Sequence, residues 1–347
     1  MSDFAPRLLR WFDQHGRRDL PWQHPRTPYR VWLSEIMLQQ TQVQTAAPYF
    51  LRFVDTLQSI PALAAASQDD VLALWSGLGY YSRARNLHRA AQLCVENFGG
   101  ELPCDFDALL ALPGIGRSTA GAILAQAWGL RFPILDGNVK RVLARWHGLS
   151  AWPGDPKAQA QLWTFAEWHT PNERLADYTQ AIMDLGSGIC KRSKPQCGTC
   201  PVQAGCVAYR DGLVGTLPAR KPTKSLPTRQ TLMLVLRDAS GRVLLERRGQ
   251  TGIWAGLWSL PEAEDESAAR LGIAQEHDIA AEEITFTALP SFTHGFSHFH
   301  LDVTPLTAEI HRVRRIADGD DKRWLHLAEA AALGLPAPVR KLIATLS

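Results

Sequence analysis

The sequence predicts a multidomain chain, an all-α region followed by a smaller α+β region, and three observations carry that expectation. From the N-terminus to about residue 212, apolar groups recur at three- and four-residue steps and Pro or Gly punctuates the pattern, as packed helices require. Residues 213–228, LVGTLPARKPTKSLPT, hold three prolines, three basic residues and no acid, which reads as an extended linker. Beyond it, the apolar run Thr231–Leu236, the turn Asp238-Ala239-Ser240-Gly241 and a second run Val243–Leu245 read as a β-hairpin that opens a domain over 229–347. A chain of 347 residues is long enough for two cores, and no fixed-period repeat is visible in it.

The formal net charge of +3 is small, so the placement of charge says more than its sum. No run approaches the ~20 apolar residues that span a bilayer, and no membrane partner is expected. Residues 1–16 carry Asp3, Arg7, Arg10 and Asp13 where a secretory leader is apolar. A cytoplasmic chain with reduced thiols is therefore expected.

Within the helical region, Glu35 stands in VWLSEIML with large apolar groups on every side of the helix. Buried there, its carboxyl should titrate above the usual ~4.3 and hold a proton near neutrality, as a general acid must. A structural glutamate paired with an arginine is the other reading. Residues 109–125 end one helix, turn at Pro113-Gly114-Ile115-Gly116 and start another with Ala120, Ile123, Leu124 and Ala127 on its apolar side. In such a helix-hairpin-helix, Gly114 and Gly116 allow close approach, and free N–H groups at the second helix start face an anion such as a DNA phosphate. An ordinary turn between two helices would look much the same.

A second turn, Pro133 to Asn138, leads into a helix with apolar Val139, Val142, Leu143 and Trp146, and with Lys140, Arg141 and Arg145 around the other side. Asp136 occupies the N-cap position, and the same carboxylate could stabilise positive charge on a substrate. A protonated glutamate and an ionised aspartate are what acid-assisted cleavage of a glycosidic bond needs. Further on, Cys190, Cys197, Cys200 and Cys206 follow C-x6-C-x2-C-x5-C. Zinc sites favour two close pairs, and the uneven spacing suits one iron–sulfur cluster better than zinc or disulfides. No acid lies between Asp184 and Asp211, whereas Lys191, Arg192, Lys194 and Arg210 do, so this loop is a positive surface suited to phosphate.

These features, together with Leu20-Pro21-Trp22, Tyr29–Gln42 (YRVWLSEIMLQQTQ), Gly77–Tyr81 (GLGYY), Leu112–Gly121 and Ile134–Arg145 (ILDGNVKRVLAR), resemble the endonuclease III superfamily of base-excision DNA glycosylases. Phe296-Ser297-His298 extends the likeness into the C-terminal region, where the chain is similar to adenine-specific members. The resemblance implies six-helix and iron–sulfur subdomains within 1–212, one [4Fe-4S] cluster on the four cysteines, and no nucleotide cofactor. Its implied partner is double-stranded DNA holding A:8-oxoguanine or A:G mispairs, and its implied state a monomer. Glu35 would protonate the flipped adenine, Asp136 would stabilise the oxocarbenium-like sugar, and Asn138 would orient the reacting groups.

Arg18, Trp22, Leu38, Thr41 and Gln180 would line the base pocket, with Gln40 and Tyr80 as a wedge beside the estranged base. Bifunctional relatives carry a lysine nucleophile where this chain has Ser118, whose hydroxyl cannot form an imine. Lys140 would then give at most weak lyase action. The resemblance also implies a Nudix-like C-terminal domain. Its best-placed acidic stretch, Glu264–Ile273, lacks the clustered glutamates of a metal-dependent hydrolase, which leaves recognition of an oxidised base by His294, Phe296, Ser297 and His298. Phe296 to Val303 reads as one strand with Phe299, Leu301 and Val303 inward and Phe296, His298 and His300 outward. The competing functions are a bifunctional glycosylase/lyase acting on oxidised pyrimidines and a damage-binding protein without catalysis.

Overall fold

The computed structural model describes residues 3–221, 225–277, 279–311 and 321–346. The chain divides into two compact units, 1–65 with 86–223, and 66–85 with 224–347. The first unit is helical, as expected. Its elements are α1 (Phe4–His15), α2 (Pro28–Leu38), α3 (Val43–Thr56), α4 (Ile60–Ala65), and, after α5 (Gln68–Trp75) of the other unit, α6 (Ser82–Phe98), whose first turn also belongs to that unit. They continue with α7 (Phe106–Ala111), α8 (Arg117–Trp128), α9 (Gly137–His147), α10 (Pro156–His169), α11 (Leu175–Asp184) and α12 (Val207–Arg210). Phe4, Leu8 and Phe12 of α1, Val139, Val142 and Leu143 of α9, Leu162 of α10 and Ile182 of α11 share one core, which holds the start of α9 in place.

The turn between α7 and α8 is the anticipated hairpin, with Gly114 at φ +82°. Gly116 caps α8 without a side-chain acceptor, so the first N–H groups of α8 have no capping oxygen from that residue. Gly121, in α8, has a structural reason to lack a side chain. A Cβ there would come within 2.6 Å of the Pro133 carbonyl oxygen, so only glycine lets the segment leading to Asp136 cross the helix.

One sequence expectation on α9 is corrected. Arg145 does not lie on an outer face; it is 3% exposed and donates to the Leu217 and Lys191 carbonyls at 2.8 and 2.7 Å. A buried guanidinium needs every donor satisfied, and backbone carbonyls of the cysteine loop and the segment after it supply the acceptors.

Among the described residues, the second unit is built on a mixed eight-stranded sheet: β1 (Thr228–Asp238), β2 (Val243–Arg247), β3 (Trp258–Ser259), β4 (Glu262–Ala263), β5 (Thr287–Ala288), β6 (Phe292–Gly295), β7 (His300–Ile310) and β8 (Lys322–Leu325). β1 and β7 run parallel in register from Thr228 opposite His300 to Asp238 opposite Ile310. Both faces are covered, which accounts for the unbroken apolar run in β1. Met233, Val235 and Val303 pack with Val339 and Ile343 of a C-terminal helix, while Leu234, Leu236 and Ile310 pack with Ala269 and Ile273 of the helix Glu266–His277. The predicted hairpin is β1–β2, and Asp238 closes its turn by accepting from the Ser240 and Arg242 amides at 2.9 and 2.8 Å.

The segment 66–85 packs within this unit. Tyr81 donates to the Leu335 carbonyl at 2.9 Å, Arg85 donates to the Ala255 carbonyl at 2.6 Å, and Arg340 donates to the Ser76 hydroxyl at 2.6 Å. Asp69 pairs with Arg247, and Leu72 lies against Gly334.

The predicted continuous strand Phe296–Val303 is also corrected. Phe296 donates its N–H to the Phe299 carbonyl at 2.8 Å, which makes Ser297-His298 the two-residue loop of a hairpin between β6 and β7. Phe296 is half-buried and stacked on Phe299 at 4.6 Å, on the core side. Phe299, Leu301 and Val303 are buried and His298 and His300 exposed, as the alternation implied.

Candidate active site

A cleft of about 740 Å³ in the helical unit brings Glu35 and Asp136 together. Trp22, Leu38 and Thr41 line one part of it, Asn138 and Arg141 another, and Gln180, Asp184 and Ser187 a third. Glu35 projects from α2, whose Val31, Trp32, Leu33, Ile36 and Met37 are buried, so the helix is locked on both sides of the carboxyl. Its Oε1 accepts from Gln126 Nε2 at 2.7 Å. Burial pushes the Glu35 carboxyl up to about 7; the Gln126 amide opposes this and the nearby Asp136 charge adds to it. The group is thus poised to carry a proton at neutral pH.

Asp136 caps α9, with Oδ1 accepting from the Val139 N–H at 2.7 Å and Oδ2 from Asn138 Nδ2 at 3.3 Å. Burial raises its carboxyl above the ordinary range, against the Val139 and Asn138 amides, the Asn138 side chain and Arg141. Both carboxyls are therefore pushed upward, but their surroundings differ. Asp136 faces several donors and the positive end of a helix, Glu35 a single amide. This difference favours the charge of the pair on Asp136 and the proton on Glu35.

Asn138 is itself held, its Oδ1 accepting from Arg141 Nη2 at 2.8 Å. Arg141 also donates to the Gly186 and Cys190 carbonyls, both at 2.7 Å, and so ties the Asp136 turn to the start of the cysteine loop. Arg141→Ala should loosen that tie and lower the rate of any reaction catalysed in this cleft by about tenfold or more while leaving the far-UV helical signal unchanged, since the loss is one of orientation. An unchanged rate would show that Asn138 is held without it.

Several expected residues lie elsewhere. Arg18 pairs with Asp13 at 2.9 Å and covers Phe12, while its neighbour Arg17 lines the cleft and forks onto Asp184 at 2.6 and 2.9 Å. Gln180 lines the cleft, but its amide donates to Asp184 at 2.7 Å and its oxygen accepts from Gln23 at 3.3 Å. Ser118 accepts from the Leu135 N–H at 2.9 Å and is engaged in holding the segment before Asp136. Lys140 lines a neighbouring groove of about 460 Å³ with Arg192, Arg220, Lys221 and Trp152, not the cleft. Gln40 is exposed at φ +60°, and Tyr80, in the other unit, is 52% exposed at φ +49°; each holds a conformation that side-chain-bearing residues rarely adopt. Gln126, Arg17 and Asp184 have no pattern in the sequence that marks them.

The four cysteines line one small cavity with Ile189 and Arg145. Arg145 Nη1 donates to Cys190 Sγ at 3.4 Å. Burial raises the Cys200 and Cys206 thiols, against backbone N–H groups of Val202 at Cys200 and of Tyr209 and Ala208 at Cys206. Four sulfurs on one cavity, with donors aimed at them, fit a thiolate-held cluster.

In the second unit, Trp254 packs near His294 and Phe296, with ring centroids 5.6 and 5.4 Å away, beside the exposed Ser297-His298 loop. Burial, with Lys341, lowers the His294 imidazole from its ordinary value. No helix among the described residues is long and apolar enough to cross a membrane.

The model of the HhH-GPD superfamily of base excision DNA repair proteins matches residues 33–167, and that of the NUDIX domain matches 232–345. An adenine DNA glycosylase of Buchnera aphidicola (subsp. Acyrthosiphon pisum) is 37% identical over 341 residues, 98% of this chain and 96% of the relative. The human adenine DNA glycosylase is 33% identical over 87% of this chain and 66% of its own. Among solved structures, a thermostable thymine-DNA glycosylase matches 60% of this chain and 95% of its own at TM-score 0.55 and 27% identity. An endonuclease III in non-covalent complex with DNA matches with the same coverage at TM-score 0.52 and 21% identity, a likeness of fold. Identity sustained along nearly the whole length, over a cleft that joins Glu35 to a helix-capping Asp136, makes this chain a member of the adenine DNA glycosylase family.

Proposed function

We propose that this glycosylase hydrolyses the N-glycosidic bond of adenine opposite 8-oxoguanine, and secondarily opposite guanine, in double-stranded DNA, as a cytoplasmic monomer. The observation that carries this reading is the shared cleft of Glu35 and Asp136, one carboxyl able to hold a proton and the other supplied with donors for its charge. The adenine nucleotide swings out of the stack into the cleft. Glu35 gives its proton to N7, the C1′–N9 bond breaks, and adenine leaves with the bonding pair. Asp136 stabilises the oxocarbenium-like sugar, and water adds to C1′ as its proton returns to Glu35. Asn138, held by Arg141, keeps the Asp136 carboxylate in place.

The product is an abasic site. Ser118 cannot form an imine, its oxygen is engaged by Leu135, and Lys140 faces the neighbouring groove. One [4Fe-4S] cluster on Cys190, Cys197, Cys200 and Cys206 would brace the basic loop that carries Lys191 and Arg192. Phosphates would meet the Gly114–Gly116 turn and Lys140. Replacing both Lys140 and Arg192 by alanine should flatten the slope of log K against log salt by about 0.9 per lost phosphate contact; an unaltered slope would remove both from the DNA path.

The exposed Ser297-His298 loop, backed by Phe296, His294 and Trp254, supports reading of the oxidised base. The His298→Ala variant should lose about tenfold in rate on A:8-oxoguanine and little on A:G, the range of one lost base contact. Equal loss on both duplexes would place His298 outside recognition. Single-turnover assays on A:8-oxoguanine, A:T and thymine glycol duplexes, with and without alkali, test the whole reading. Alkali-dependent cleavage confined to A:8-oxoguanine is expected. Nicking of thymine glycol without alkali would overturn it in favour of a bifunctional lyase.

A further inference from the structure

We infer that Gln126 is a positioning residue of this glycosylase: its side-chain amide fixes the Glu35 carboxyl and selects which of the two oxygens presents the proton to the base. The inference rests on the reading of Glu35 as the general acid. Gln126 stands in α8 directly after Ala122, Ile123, Leu124 and Ala125, all buried, and is itself only 5% exposed. A polar side chain at such a position costs free energy unless it finds a partner. The partner is Glu35, whose Oε1 accepts from Gln126 Nε2 at 2.7 Å across 91 residues of sequence.

An NH2 group can only donate, so Oε1 offers it a lone pair; the carbonyl oxygen of a protonated carboxyl is the better acceptor, which favours the proton on Oε2. Without this constraint, the proton could rest on either oxygen, and one of the two arrangements would aim it away from the cleft. The charged group acting on Glu35 from the opposing element is Asp136, at the start of α9, and it raises the carboxyl; the Gln126 amide acts in the opposite sense. Glu35 is therefore held between an anion that favours its protonation and an amide that limits it. Gly121, five residues earlier in α8, lets the Asp136 segment pass closely over the same helix, so α8 positions both carboxyls.

The test is Gln126→Met, a side chain of nearly equal length without a donor, with Gln126→Leu as a second variant. The single-turnover rate of adenine excision would be measured from pH 5 to 9 in wild type, in each variant, in Glu35→Gln and in the Glu35→Gln/Gln126→Met double variant. Two changes are expected in Gln126→Met. The descending alkaline limb moves up by about half a unit to one unit, because a donor to the charged form is gone. The rate on the acid side of that limb falls about tenfold, because the carboxyl is no longer oriented. A purely structural role would lower the thermal midpoint without moving the limb.

In the double variant, the rate should match that of Glu35→Gln, since Gln126 acts through Glu35. A Gln126→Met profile that overlays wild type, or a double variant slower than Glu35→Gln by the full Gln126→Met factor, would overturn the inference. If Glu35→Gln itself excises at the wild-type rate, the reading of Glu35 fails instead, and the two failures are distinct.

Discussion

Replacing Glu35 by glutamine lowers the single-turnover rate of adenine excision by about a thousandfold, within the ~10²–10⁴ that a positioned general acid supplies. The amide keeps the shape of the carboxyl but has no acidic proton to give to N7. Binding of the mispaired duplex should persist, because the proposed phosphate contacts lie on other elements. In wild type the same chemistry fixes the sign of the pH dependence. Burial raises Glu35 to about 7, and in the proposed role its protonated form is the active one, so the rate should decline as pH rises through that value, while the need for an ionised Asp136, itself raised by burial, limits the rate on the acid side. Measuring excision and duplex binding together separates the two roles. A Glu35→Gln rate within tenfold of wild type would assign the acid to another group.

Asp136→Asn has the second largest expected effect, a loss of roughly 10²–10³-fold, the cost of removing one well-placed electrostatic partner of the transition state. Asparagine caps helices about as well as aspartate, so the Val139 N–H keeps an acceptor and the fold should be nearly as stable as wild type. Asp136→Ala adds a second defect. It loses the cap as well as the charge and should destabilise by about 1 kcal/mol, visible as a lower thermal midpoint. Comparing the two variants by excision kinetics and thermal unfolding separates charge from capping. Wild-type activity in Asp136→Asn would refute the proposed stabilisation of the sugar.

The residues that were legible in the sequence are those whose meaning lies in their immediate neighbours. Glu35 is marked by the apolar groups around it, Asp136 by the helix it caps, and the cysteines by their spacing. The residues that were not legible act across the chain. Gln126 reads as an interruption of an apolar face, Arg145 as one more surface cation, and Arg17 and Asp184 as unrelated charges until folding joins them. The Ser297-His298 loop was missed for a different reason. Its local signals are weak, Ser297 within the loop and Gly295 before it, and the alternation of Phe299, Leu301 and Val303 extends back across them as one strand. Residues 66–85 were read with the helical region because they are helical and precede the linker, whereas the packing of Tyr81, Arg85 and Leu72 places them with the sheet.

That placement bears on any attempt to treat the chain as two detachable modules. Severing it at residues 213–228 would strip Tyr81, Ser76 and Arg85 of the acceptors and donors they now use, and would uncover Leu72. A shortened protein would carry an orphaned apolar helix in the middle of its catalytic half. Any loss of activity would then mix loss of the proposed recognition of the opposite base with misfolding of a segment that the cut never touched. Point substitutions in the Ser297-His298 loop avoid that confusion, because they leave the sheet and its borrowed helix whole.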